Sequence, residues 1–487
     1  MVMGEQTLET QVAVIGGGPG GYAAAFRAAD LGLDVTLINA EERLGGVCLL
    51  RGCIPSKALL QAMHVVREAR QAVAWGLTFS DLRMDLEALR AWKDGVIAQL
   101  ANGLGALSQQ RQVNLIQAQA TFEASDRVRL YGADITHVRF ESAILATGSH
   151  PLPLSGVPFQ AGSRIMDSTA ALAVPDIPKT LLVVGGGYVG LELGSVYATL
   201  GSRVTLVEMT DGLLPGLDRD LVAPLARRVA SDFAAIYLQT RVTQVEEQDA
   251  GVQITLQGHG DARQQCFDRV IVAIGRRPTT QAMGLEHTEV KLDTRGFVVV
   301  DAQQRTADPR IFAIGDVAGQ PMLAHKAMYE GKIAAEVITG EPSACDARCI
   351  PAVVYTDPEI AWCGLTETEA RLQTRAIRVG RFPWRASGRA LTMGAADGLT
   401  KIIVDAETER VLGVGIVGRG AEDIIAEGAF AVEMGALVWD LALTIHPHPT
   451  LSETVAEATE AYLGRATHLV PPHQPGSAAC TRPWRGR

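Results

Sequence analysis

This sequence is sparing with charge. Only 20% of its 487 residues are Asp, Glu, Lys or Arg, and 44 basic residues face 54 acidic ones, a formal balance of −10. A chain of that sign repels a polyanion rather than releasing its counterions, so nucleic acid is excluded as a partner. Apolar residues are not scarce: at 47% the chain carries more than a disordered polypeptide does. Also missing is any uninterrupted apolar run of membrane-spanning length, since the strongest candidate, residues 181–200, is glycine-rich and holds Glu192. The first ten residues, MVMGEQTLET, lack the basic segment and apolar stretch of an export signal. No membrane partner and a cytoplasmic location are therefore expected. Seven cysteines, an odd number, make no secreted framework. Most of Cys266, Cys345, Cys349, Cys363 and Cys480 read as small buried hydrophobes. Cys48 and Cys53 stand apart, but no second Cys/His pair accompanies them, so tetrahedral zinc is short of ligands and no metal is expected.

Glycine, by contrast, is abundant, at 50 residues. The segment QVAVIGGGPGGYAAAFRAADLGLDVTLIN runs from an apolar strand through Gly16, Gly18 and Gly21 into an alanine-rich helix and a second β-branched strand. Such a βαβ unit cradles a pyrophosphate: the glycines allow a tight turn and close backbone approach, and the helix N-terminus adds partial positive charge. The pattern returns 169 residues later in TLLVVGGGYVGLELGSVYATLGSRVTLVEM, with Gly185, Gly187 and Gly190 in the same places. Two copies in the same context imply two nucleotides. Eighteen residues beyond Gly190, Glu208 is an acceptor for both hydroxyls of an unphosphorylated adenosine ribose and repels a 2′-phosphate, which favours NAD over NADP. The equivalent residue after Gly21 is Asn39, neutral but able to hydrogen-bond a ribose.

ILATGS at 144–149, with Thr147 and Gly148, and VIVAIGRRP at 270–278, with Gly275, run from apolar strands into glycine turns and look like seams between the two folds. RIFAIGDVAG then sets Asp316 after a strand and a glycine, where a carboxylate can accept from a ribityl or ribose hydroxyl. The resulting fold class is α/β, with two Rossmann-like dinucleotide-binding domains and a C-terminal α+β domain. The boundaries expected are 1–150, 151–277, a return to the first domain over 278–346, the third domain over 347–470, and a disordered tail over 471–487. Three arginines without an acid in that tail leave a basic docking segment as the alternative.

The chemistry points to GGVCLLRGCIPSK, residues 45–57, just after the first βαβ unit and leading into a helix. Five positions along an ideal helix separate Cα atoms by about 8.6 Å, whereas bridged cysteines lie below about 7 Å. A Cys48–Cys53 bridge therefore demands a distorted first turn. Pro55 suits a helix start, and a thiolate there is stabilised by the helix dipole, with Arg51 and Lys57 adding positive charge.

These motifs, followed by GRRP, AHKA, YTDPEIAWCG and HPHPTLSE in order, make the chain resemble the flavoprotein disulfide reductases over about residues 8–470, and among them the branch that oxidises dihydrolipoamide. The resemblance implies non-covalent FAD on the first fold, NAD on the second, a C-terminal interface domain and a homodimer sharing its active sites. It implies that Cys48 exchanges with a dihydrolipoyl group while Cys53 faces the flavin, that Lys57 sits near the flavin paired with Glu192, and that His448 of the second subunit is the base, oriented by Glu453. His446 is left as structural support. The lipoyl domain of a separate acyltransferase or carrier, and the acyltransferase core of a 2-oxoacid dehydrogenase complex, are the implied partners, because no lipoyl-type DKA segment precedes residue 11. Asn39, Leu49, Leu50, Arg51 and Met328–Tyr329 depart from the commonest pattern; Asn39 bears on the strength of adenosine binding, the others on the potential or the substrate channel. Metal reductase and glutathione reductase activities are the rivals, the first lacking a terminal vicinal cysteine pair and the second disfavoured by Glu208. A binding subunit without activity is the rival of another class, opposed by the presence of Cys48, Cys53, His448 and Glu453.

Overall fold

Alternate residues of a strand face opposite sides of its sheet, and the first strand of this protein, Thr7–Ile15, has apolar residues on both. Val12 and Val14 enter one core with Leu37, Ile144 and the alanines of helix Pro19–Asp30. Ala13 and Ile15 enter another with Phe122, Val138 and Leu145. A strand buried on both faces belongs in the middle of a parallel sheet. In the computed structural model, which describes residues 6–80 and 83–470, Thr7–Ile15 is flanked in parallel by Val35–Asn39 and His137–Leu145. Asn114–Gln117 lies beyond the former, and Ile311–Ala313 pairs in parallel with the latter. The tail expected to be disordered falls outside the described residues.

Backbone contacts divide the chain into two compact units, one of residues up to Met209 together with Thr240–Asp346, the other of Thr210–Gln239 together with the chain from Ala347 onward. The first unit repeats its architecture. Strand Thr180–Val184 runs parallel to Arg203–Val207 and Arg269–Val272, with Ile165–Met166 at the edge, and a three-stranded antiparallel sheet, Arg241–Gln248, Gly251–Gln257 and Arg263–Phe267, accompanies it. The two seams meet: Ser149–Pro151 pairs antiparallel with Arg276–Pro278. Helix Pro19–Asp30 packs on helix Ala324–Ile338 at a spacing only small residues allow, because a Cβ on Gly331 would lie 2.6 Å from the Gly20 carbonyl.

The second unit is an α+β layer: an antiparallel sheet ordered Ala352–Val354, Ile360–Gly364, Val411–Val417, Leu399–Asp405, Ile377–Pro383, with helices Ala421–Glu433 and Glu453–Tyr462. Its core holds Phe382, Trp384, Ile402, Val414, Ile416 and Val455. Against that core lies a charge the sequence did not flag. Lys401 is 0% exposed, and its Nζ contacts Asp218 at 2.7 Å, Asp220 at 2.7 Å and Glu367 at 2.9 Å. The three carboxylates converge as a cation site would, and the ammonium fills it. Burial by itself would raise the two aspartates, but hydrogen bonds and charge from Lys401 hold both below the usual carboxylate range.

Of the other five cysteines, Cys363 is buried, while Cys345 and Cys349 are half-buried. Cys266 is exposed on Arg263–Phe267, a strand at the edge of its three-stranded sheet, and corrects the expectation; Cys480 lies outside the described residues. Among the described residues no helix is long and apolar enough to cross a membrane.

Removing one partner of a buried ion cluster strands the rest, so Lys401→Met is expected to lower unfolding free energy in urea by about 3–5 kcal/mol. The pH response has a defined sign. A carboxyl held low in the folded state contributes stability that is present above its unfolded value and lost as pH falls through its folded value. Wild-type stability should therefore drop below the ordinary carboxylate range, and the Lys401→Met profile should lack that component.

Candidate active site

The dithiol segment folds as two helices, not one. Gly46–Arg51 ends at Gly52, whose φ of −141° and ψ of −105° lie outside the helical region, and Cys53–Gln71 begins at once. The distortion demanded by the cysteine spacing is thus present. A side chain at residue 52 would place Cβ 2.8 Å from the Val47 carbonyl, so the interruption needs glycine. Pro55 falls in the first turn of the longer helix.

Cys48 and Cys53 are free thiols that hydrogen-bond to one another. That bond pushes Cys48 well above the usual thiol range, with burial adding to it, and pulls Cys53 down to about 7. Burial opposes the shift at Cys53, while the Lys57 charge and a backbone N–H at the helix start support it. The Lys57 ammonium is in turn fixed by buried Glu192, at 2.9 Å, which also accepts from Ser56 Oγ at 2.8 Å. Helix Tyr188–Leu200 carries Glu192, so the second glycine motif reaches back to the dithiol.

One cavity of about 530 Å³ collects most of the residues singled out from the first fold. Gly16, Gly18, Asn39, Cys48, Cys53, Lys57, Thr147, Gly148, Glu192 and Asp316 all line it. Gly21 lies behind this wall and makes the turn possible: a Cβ there would sit 1.8 Å from the Gly16 carbonyl, and Gly16 itself has φ of +112°. The second motif repeats the construction, with Gly185 at φ +112° and a Gly190 Cβ only 2.0 Å from the Gly185 carbonyl, yet a Cβ on Gly187 between them would meet nothing within 4 Å. The outer glycines answer to packing. The middle one keeps backbone N–H groups approachable, which fits a dinucleotide pyrophosphate. At the ends of the second strands, Glu208 Oε2 accepts from Gly186 N at 2.7 Å, and Asn39 Oδ1 accepts from Gly17 N at 3.1 Å. The Asn39 amide also donates to the Glu41 and Arg43 carbonyls, at 2.7 and 3.0 Å. The donor set therefore fits one dinucleotide on each fold, with FAD-type chemistry beside the dithiol.

Several residues that shape this cavity carry weak sequence signals. Ser149 Oγ donates to Asp316 at 2.5 Å, and Arg276 donates to Ser149 Oγ at 2.7 Å and to its carbonyl at 2.6 Å. Both lie in the seams, where only strand-then-glycine was readable. Behind Asp316, Glu330 Oε2 accepts from Gly315 N at 2.7 Å and pairs with buried Lys326 at 2.8 Å. A Lys/Glu pair at i, i+4 on an otherwise buried helix is the signal that could have found it. Leu49 and Leu50 pack with Ile97 and Ala101, and Arg51 pairs with Glu41. Gly275, at φ +133°, turns at the second seam and does not line the cavity.

In the second unit, His448 Nδ1 lies 2.9 Å from Glu453 Oε1, and the other carboxylate oxygen accepts from Thr450 N at 2.6 Å. His448 is 72% exposed. His446 Nε2 meets Glu427 at 2.8 Å, and that hydrogen bond raises the His446 pKa.

Residues 10–331 match the sequence profile described as pyridine nucleotide-disulphide oxidoreductase, and residues 350–459 match its dimerisation domain. The dihydrolipoyl dehydrogenase of Vibrio cholerae is 45% identical over 464 residues, 95% of this chain and 97% of its own length. That of Thermus scotoductus is 47% identical, covering 94% and 98%. Among solved structures, LpdA from Mycobacterium tuberculosis superposes with a TM-score of 0.85 at 28% identity over 93% of this chain and 99% of its own. The HOCl-induced flavoprotein disulfide reductase RclA from Escherichia coli gives 0.82 at 27%, over 92% and 99%. The chain belongs to the pyridine nucleotide-disulphide oxidoreductase family, oxidoreductases that use FAD and NAD and carry a dimerisation domain.

Proposed function

We propose that this protein oxidises a protein-bound dihydrolipoyl group to lipoyl and reduces NAD⁺, as a homodimer serving a 2-oxoacid dehydrogenase complex or glycine cleavage. The observation that carries the reading is the Cys48–Cys53 pair at a broken helix start, in the same cavity wall as the Lys57–Glu192 pair. Relatives covering nearly the whole chain at 41–47% identity are dihydrolipoyl dehydrogenases.

In this reading the FAD domain comprises 1–150 with 278–346, the NAD domain 151–277 and the interface domain 347–470. The partner subunit's His448 takes a proton from the incoming dithiol, and a carboxylate on the other ring nitrogen fixes its tautomer. The resulting thiolate attacks Cys48 of the oxidised pair and displaces Cys53 as a thiolate. The second substrate thiol then attacks the substrate sulfur of the mixed disulfide, its proton passing to the departing Cys48, which releases lipoyl product and the Cys48 thiol. Lys57, held by Glu192, stabilises the Cys53 thiolate at the moment it forms. FAD, which the Gly16–Gly18 turn, Asn39 and Asp316 would hold in this cavity, would supply the two-electron redox chemistry that links the dithiol to NAD⁺. Glu208 selects NAD by accepting from the ribose hydroxyls. The lipoyl domain comes from a separate acyltransferase or carrier protein, the enzyme docks on an acyltransferase core, and it works in the cytoplasm.

Turnover should be highest with dihydrolipoamide and NAD⁺ in a panel that includes glutathione disulfide, Hg²⁺ and NADPH; preference for any of these would sink the assignment. Cys53→Ser should abolish turnover and the long-wavelength thiolate-to-flavin band, and intact turnover would refute the scheme. In the reduced enzyme, that band should titrate with a midpoint near 7, and Lys57→Met should move the midpoint upward by removing a charge that favours the thiolate. His448→Gln should lower kcat with dihydrolipoamide by roughly 10²–10⁴-fold, the usual range for a lost general base.

A further inference from the structure

The dithiol cavity uses two of the described cysteines, and two others also meet. Cys363 lies on strand Ile360–Gly364, 1% exposed within the core of the second unit. Cys349 precedes strand Ala352–Val354, which runs antiparallel beside it with Ala352 opposite Trp362. Cys349 packs against the same core as Cys363, and the two thiols hydrogen-bond. The segment is held in place from the other side too. Cys349 Sγ donates to the Ala429 carbonyl at 3.6 Å, and Arg348 N donates to Glu433 at 2.9 Å, both on helix Ala421–Glu433. Thiols that already hydrogen-bond, on segments held from both sides, lie near the separation a bridge requires.

The two thiols are unequal. Cys349 is half-buried and reachable, and the hydrogen bond from Cys363 lowers its pKa against the opposing effects of burial and the Glu433 charge. Cys363 is enclosed, and the same bond with burial pushes it up. A half-buried thiol of lowered pKa next to an enclosed protonated one is the arrangement of an attacking and a resolving cysteine. We propose that Cys349 and Cys363 form a second redox dithiol, independent of Cys48 and Cys53, which hydrogen peroxide converts to a disulfide. The Cys349 thiolate attacks one peroxide oxygen and the O–O bond breaks, leaving a sulfenic acid and hydroxide, which takes up a proton to become water. Cys363 then attacks the Cys349 sulfur, forming the S–S bond, and the sulfenic hydroxyl leaves as a second water with the Cys363 proton. Two thiols lose two electrons and one peroxide becomes two waters. The bridge closes the loop from Cys349 to Cys363 and staples the edge strand Ala352–Val354 to its neighbour, so it restricts the unfolded chain without touching the nucleotide cavity.

The test uses full-length holoenzyme carrying Cys48→Ser and Cys53→Ser, which leaves five cysteines of the seven. After a few equivalents of hydrogen peroxide, thiols are blocked with iodoacetamide and peptides mapped without reduction. The expected result is loss of two thiols, a crosslinked peptide joining residues 349 and 363, recovery with dithiothreitol, and a Tm raised by several degrees. Adding Cys349→Ser should remove the crosslink and the Tm rise together. Recovery of both peptides alkylated, or of Cys349 as sulfinate with no crosslink, would overturn the proposal, and that mapping is decisive even if the triple variant folds poorly.

Discussion

The structure depends on backbone approaching backbone more closely than any side chain permits. Gly21 lies against the Gly16 carbonyl, Gly46 against Gly18 and Gly331 against Gly20, each at a spacing where a Cβ would come within 2.6 Å or less of a backbone atom. These contacts draw the helix starting at Pro19, the helix carrying Cys48 and the helix following Asp316 toward one turn. The cavity wall there is consequently peptide rather than side chain, and peptide N–H groups bind an anion without first losing a hydration shell of their own charge.

A second constraint is that three cations, two of them buried, are placed by carboxylates. Lys326 with Glu330 braces the turn before Asp316, Glu192 orients Lys57, and Lys401 gathers three acids in the second unit. Buried ion pairs are weak sources of net stability but poor at tolerating alternatives, since each lost partner leaves a charge uncompensated. In this protein they fix where a side chain points. The Glu192–Lys57 pair aims a charge at Cys53; the other two support backbone.

The two βαβ units, the seams and the broken helix at Cys53 were legible because each rests on local spacing: glycines at fixed offsets and cysteines too far apart for a regular helix. The pairing of His448 with Glu453 came from the resemblance of HPHPTLSE to the family motif. What escaped were contacts between distant segments. Arg276 reaching Ser149, Ser56 reaching Glu192, and Lys401 reaching Asp218 and Glu367 join residues that no periodicity relates. Cys266 escaped for the opposite reason, since cysteine composition favours burial while its position on an edge strand decides exposure. Asn39 was legible as a neutral replacement, but its use of both amide ends on the Gly17, Glu41 and Arg43 backbone depends on the loop that follows.

The seam pairing has a mechanical side. Strand Arg276–Pro278 continues directly from the second parallel sheet, and its first residue holds Ser149, which holds Asp316 in the wall of the first cavity. Donor, relay and acceptor are thus in series. A tilt of that strand cannot leave Asp316 undisturbed: either Arg276 lets go of Ser149 or the carboxylate moves with it. The crossing between the two nucleotide folds therefore reaches into the first cavity, whose Asp316 carboxylate is oriented through Ser149 by an arginine from the far side of the seam.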